Sequence, residues 1–320
     1  MTRAFRTTSL LMLVLLLASA VRASTETRDA LDRIDEIGVP NAPPPTTAHA
    51  EVHDLWPLVI FFAPALAVAA AMGVAGSVVG TFVLLREEGL VALTLPHAVA
   101  VGAAVGWSLD VPVLPPALLA LGGTLIAFSL EKRRIARRPG PSAVPAVYVA
   151  ALCTSFLIVA HGGRHVEELQ NLFTGIDVAV TPATAWGVAP SLLACGVVTG
   201  LFWRRWLLLA QSPAAAELAG VSTVRWHGGF LAMLAVYVLF GTIAQGVVMV
   251  VAMLFLPPAI VSPWARRLPG ALVGGIAVAL LMLGGAFVLS NTYALPLSHS
   301  VGGCGLVLLV ASRTGVVVRG

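Results

Sequence analysis

The sequence predicts an all-α fold, a bundle of helices that crosses a membrane many times, and three observations predict it. Hydrophobic residues make up 58% of the 320 residues, while charged residues make up only 11%, against about 25% in an ordinary soluble domain. The mean hydropathy of +0.93 leaves too little polar surface to cover a soluble globule, and far too much apolar surface for a disordered chain. The apolar residues gather at about 57–85, 90–109, 112–130, 143–162, 182–203, 227–242, 244–262, 270–289 and 296–312. Most of these runs approach the roughly 20 residues that span a bilayer as a helix, and they lack the two-residue alternation of barrel strands.

Residues 1–23 precede these spans and read as a signal peptide. Arg3 and Arg6 form a positive start, Leu10 to Leu17 a short apolar core, and Ala18-Ser19-Ala20 or Val21-Arg22-Ala23 a small-residue cleavage site. An uncleaved anchor is the alternative, and both place the next segment outside the cytoplasm. Residues 24–55 form a polar, acidic tail interrupted from Pro40 by a stiff PNAPPP spacer. Its HAEVHD run carries His49, Glu51, His53 and Asp54, a spacing that suits a weak zinc site as well as it suits a solvated tail. Residues 56–320 are the transmembrane domain. Its two least separated spans, near 227–262, are divided at a break flanked by Gly241 and Gly246.

Loop charge orients the spans. The EKRRIARR segment at 131–138 belongs in the cytoplasm, and alternation then places 13 of the 19 Lys and Arg residues there. Glu87, Glu88, Glu131 and Glu217 join them, while the other 11 carboxylates fall outside. The amino terminus is expected outside and the carboxyl terminus inside. Gly73, Gly76 and Gly80, and likewise Gly102 and Gly106, have the spacing that lets membrane helices approach closely.

Several function classes are excluded. The only lysine, Lys132, lies in LEKRR, so the chain has no P-loop and no ATPase of its own. There is no HExxH, no GxSxG and no intramembrane Asp pair, so an enzyme is not expected. Cys153, Cys195 and Cys304 are isolated within apolar spans and read as small core residues.

One ionisable side chain stands at mid-depth. His97 lies about seven residues into its span, roughly 10 Å deep at 1.5 Å per residue. A buried ionisable group is a functional candidate, and neutral imidazole is a common metal ligand. The plain alternative is a neutral histidine bonded to a neighbouring helix. Pro96 before it removes a helix hydrogen bond and favours a kink that exposes backbone oxygen. His299, in the outer half of the last span, is a second, weaker candidate. On the cytoplasmic side, Ser212 can cap a short helix that starts at Pro213, runs through Ala216 and Glu217, and stops at Gly220.

Five stretches then resemble, in order, the permeases of zinc/manganese-type ABC transporters. They are GVAGSVVGTFVLLREEGLVALTLPHAVAVGAAVGW from Gly73, NLFTGIDVAVTP from Asn171, SPAAAELAG from Ser212, AMLFLPPAIVSPWARRL from Ala252, and the YALPLSHSVGG ending. The resemblance implies an importer subunit for a divalent metal ion, zinc or manganese, in the bacterial inner membrane. It implies a homodimer with two copies of a cytoplasmic ABC ATPase, docked at Ser212 to Gly220, and a periplasmic metal-binding protein that delivers the ion. No permanent cofactor and no nucleic acid is expected, and membrane lipid surrounds the spans. His97 takes the place of the family's pathway histidine, whereas the family aspartate is replaced by Leu93, which cannot bind metal. That loss leans toward zinc, because manganese prefers oxygen ligands. An ABC permease for an iron chelate or a vitamin, or a secondary ion transporter, is the alternative. The latter usually couples through buried carboxylates, which this chain lacks at mid-depth.

Overall fold

The computed structural model describes residues 59–137, 142–160, 170–173, 180, 182–293 and 295–317. The expected signal peptide, the acidic tail and His49, Glu51, His53 and Asp54 lie outside the described residues. Ten helices follow in order: α1 Ala63–Leu85, α2 Gly89–Ser108, α3 Leu114–Arg137, α4 Val144–Ala160, α5 Pro182–Leu201, α6 Trp203–Gln211, α7 Pro213–Leu218, α8 Thr223–Val261, α9 Leu268–Tyr293 and α10 Leu297–Val317. Among the described residues there is no strand. Six of the helices are long and apolar enough to cross a membrane, and 144–158 is a shorter apolar helix.

Proline sets many of the boundaries. Pro64, Pro115, Pro145, Pro182, Pro213 and Pro269 all sit in the first turn of a helix, where a missing N–H costs no hydrogen bond. The basic 131–138 segment, read from sequence as a loop, is largely the last turns of α3. Its residues are good helix formers, and Glu131 accepts from the Arg134 guanidinium at 2.7 and 2.8 Å and from the Ala143 N–H at 2.9 Å.

α8 holds the least obvious feature of the fold. Its backbone is helical except at Gly246, where φ is 83° and ψ 168°, a conformation that glycine adopts at little cost. The two arms fold back on each other there. On the first arm, Tyr237 donates to the Met72 carbonyl at 3.2 Å, and Gln245 to the Ala65 carbonyl at 3.0 Å, so the arm runs antiparallel to α1. On the second, Met253 lies beside Gly73 and Leu254 beside Gly80, and Phe255 reaches Gly89, so the chain returns toward the α1–α2 turn. Both ends of α8 therefore lie at one end of the bundle. The break expected between Gly241 and Gly246 is at Gly246 itself.

α1 is the centre, packed against both arms of α8 and against α5 and α9. Its glycines are why. A Cβ on Gly76 would stand 2.9 Å from the Met253 carbonyl oxygen, and Gly102 of α2 would meet the Ala117 backbone of α3 at 2.6 Å. α2 packs between α3 and α4, with α8 behind it. The described arginines and Lys132 all lie at the end of the bundle that holds the α1–α2 turn, while the Asp110 turn between α2 and α3 lies at the other.

Candidate metal pathway and docking helix

α2 carries His97 into the bundle through an unbroken helix that includes Pro96. Pro96 has no N–H to offer the Ala92 carbonyl, so the expected loss of a helix bond is built in. The His97 side is tight: the residue is 8% exposed, and its Nδ1 is buried with no hydrogen-bond partner among the described residues. Its ring stacks on Phe173, with centroids 6.2 Å apart at 30°, and meets the edge of Tyr148 at 5.9 Å. Phe156 stacks in turn on Phe173 at 5.8 Å. The Ser155 hydroxyl of α4 approaches the His97 carbonyl at 3.5 Å.

This arrangement can offer a metal ion one imidazole nitrogen within an aromatic enclosure. Among the described residues no three His, Cys, Asp or Glu side chains gather as a metal cage. Leu93, where a carboxylate was expected by resemblance, is half-buried on the same helix. His299 is exposed on α10, which packs on α8 and α9, and its Nδ1 lies 3.3 Å from the Ser298 hydroxyl. The structure gives it no place in the His97 enclosure. The three cysteines are free thiols.

Sequence reasoning missed the aromatic enclosure, because Tyr148, Phe156 and Phe173 lie 51 or more positions from His97 and follow no motif. It also missed a charged network at the α1–α2 turn. Arg86 donates to Glu88 at 3.2 Å and contacts the His227 Nδ1, which itself lies 3.2 Å from Glu88. Lys132 stands 3.8 Å from Glu88 and 3.2 Å from the His227 Nε2. Arg86 also lies over the Phe230 ring, 4.7 Å from its centroid. The turn is strained at Glu87, whose φ is 57°. The one signal for this network was the charge of LREEG, assigned to the cytoplasmic side with the basic residues.

The short capped helix is formed as its residues suggest. Ser212 is the N-cap of α7, and its hydroxyl accepts from the Ala215 N–H at 3.2 Å. Gly220 follows the helix at φ 74°, with its N–H on the Glu217 carbonyl at 3.0 Å and the Val221 N–H on Ala216 at 2.9 Å. That is the reciprocal pattern of a glycine-terminated helix. Ala216 is fully buried, whereas Leu218 is 92% exposed. Behind α7, Trp206 of α6 is buried edge-on to Phe82, Trp226 and Phe230, so the short helix stands on a rigid aromatic base.

A glycine-packed bundle whose described basic residues all lie at one end, with an enclosed imidazole and a projecting capped helix, has the features of a multi-pass membrane permease subunit. The chain belongs to the ABC 3 transport family, whose model matches residues 59–314. It is 23% identical over 201 residues to the manganese transport system membrane protein MntC of Listeria monocytogenes, covering 62% of this chain and 70% of that protein. With the manganese transport system membrane protein MntD of Bacillus subtilis it shares 24% over 237 residues, covering 67% and 80%. Among solved structures, a chain of PsaBC from Streptococcus pneumoniae in complex with Fab matches with a TM-score of 0.66 at 19% identity, over 79% of this chain and 90% of that one.

Proposed function

We propose that the chain is the membrane subunit of an ATP-driven importer of a divalent metal ion, manganese or zinc. The observation that carries this reading is the family match across residues 59–314, joined by relatives named for manganese transport. His97 is the transient pathway ligand in this reading. A lone imidazole holds an ion weakly, which suits conduction better than a closed cage would. The tight enclosure of His97 by Tyr148 and Phe173 suits a bare ion and disfavours an iron chelate or a vitamin. Manganese agrees with the names of the relatives, while imidazole without carboxylate agrees with zinc.

In the bilayer of a bacterial inner membrane, the arginine-bearing end faces the cytoplasm. The two arms of α8 then count as two passes, which gives nine in all, with the amino terminus outside and the carboxyl terminus inside. Two copies of the chain pair with two ABC ATPases that dock on the segment from Ser212 to Gly220, with Pro213, Glu217 and Gly220 exposed and Ala216 buried as its anchor, and a periplasmic binding protein supplies the ion. Pro96 gives α2 a place to bend as access changes sides. The test is ATP-dependent uptake of radioactive manganese and zinc by vesicles holding the assembled transporter. Uptake of either ion is expected; uptake of neither, with transport of an iron chelate instead, overturns the reading.

A further inference from the structure

At the arginine-bearing end, a cleft of about 330 Å³ lies where the end of α1, α6, the α8–α9 connection and the start of α9 meet. We propose that this cleft binds the headgroup of one anionic phospholipid of the cytoplasmic leaflet. The argument rests on the proposed orientation, with the arginine-bearing end in the cytoplasm, and is independent of the transported substrate.

Arg266 and Arg267 line the cleft, and neither guanidinium has a hydrogen bond or ion pair with a described residue. Among the described residues no carboxylate lines it, so its two cations are not neutralised from within. Gln211 and Ser262 add neutral polar groups at the same rim. The remaining walls are largely apolar. Leu84 and Leu85, 38% and 43% exposed, continue from the cleft onto the outer face of α1. Trp264, 43% exposed, sits two residues before Arg266, the kind of indole that anchors at the membrane–water boundary. A phosphate on the arginines and an acyl chain along the leucines satisfy both halves of such a surface, and basic pockets between helices on the cytoplasmic side bind anionic headgroups in this way. An acidic side chain of a docked protein would satisfy the arginines and leave the apolar wall uncovered.

The test uses the full-length chain in neutral detergent, titrated with short-chain phosphatidylglycerol while thermal unfolding is followed. Phosphatidylcholine of the same chain length and inorganic phosphate are run in parallel. A saturable rise in the unfolding midpoint with phosphatidylglycerol alone is expected. Replacing both arginines (Arg266→Gln with Arg267→Gln) should raise the half-saturating concentration roughly 25-fold, about fivefold for each charge. Both side chains are exposed, so the midpoint without lipid should not move. Ala271→Trp, which fills the cleft and keeps its charge, should abolish the saturable effect even if the arginine pair proves necessary for folding. Equal stabilisation by phosphatidylcholine or by phosphate overturns the proposal, as does an unchanged titration in the variants. Normal lipid titration joined to loss of the ATPase in a pull-down would make the cleft a protein seat and equally overturn it.

Discussion

Gly80 and Leu254 touch through backbone: a Cβ placed on Gly80 would stand 1.7 Å from the Leu254 carbonyl oxygen and 2.8 Å from its carbon. No side-chain movement can relieve that clash, so α1 and the second arm of α8 would have to separate. Small residues are what allow membrane helices to pack this closely. Gly80→Ala should therefore cost about 3 kcal/mol, the upper part of the range for overpacking. Gly284→Ala, where nothing lies within 4 Å, should be near neutral. Unfolding midpoints of the two variants in detergent check this; equal effects would mean that the close approach contributes nothing.

Glu88 holds the α1–α2 turn against α3 and α8 through Arg86, Lys132 and His227. Arg86 and Glu88 are 7% and 11% exposed, so removing one partner leaves a mostly buried charge. Glu88→Gln should destabilise by about 3 kcal/mol. Removing both charges (Arg86→Gln with Glu88→Gln) should cost less than the sum of the single changes, by roughly 1 kcal/mol or more. Strict additivity in that double-mutant cycle would show the pair to be independent.

The bundle was legible in the sequence because bilayer crossing imposes length and hydropathy on each span, and because loop arginines sort to one side. The α7 helix was legible for a different reason: Ser212, Pro213 and Gly220 satisfy local backbone groups and need no distant partner. The α8 hairpin was half legible, since two glycines marked a break but not the residue that takes the positive φ. What surrounds His97 was not legible. Tyr148, Phe156 and Phe173 reach it through packing of α4 and the helical 170–173 segment against α2, and such contacts leave no periodic or motif signal. The helical end of α3 was missed because a dense run of like charge was read as a loop, although Glu131 pairs within it.

Leu218 projects from α7, the helix proposed to dock the ATPase, with 92% of its surface exposed. It makes little contribution to the fold of the chain itself, so Leu218→Asp should change stability by no more than about 0.5 kcal/mol. A charge placed in an apolar docking contact is costly, so co-purification of the cytoplasmic ATPase should fall at least about tenfold, a difference of roughly 1.4 kcal/mol. Unaltered co-purification would move the docking site away from α7.

In the proposed pathway His97 is the metal ligand, and its Nδ1 is buried with no hydrogen-bond partner among the described residues. His97→Ala should therefore cut metal uptake at least about tenfold, while the amount of protein in the membrane stays the same. Loss of an imidazole stacked on Phe173 also opens space, so stability should fall by about 1–2 kcal/mol and must be measured beside uptake. His97→Gln keeps much of the volume and a polar end, yet lacks the basic nitrogen that binds metal. Uptake should be lost in both variants and stability mainly in the first. If His97→Gln imports manganese and zinc at the native rate, the ion does not pass by way of His97.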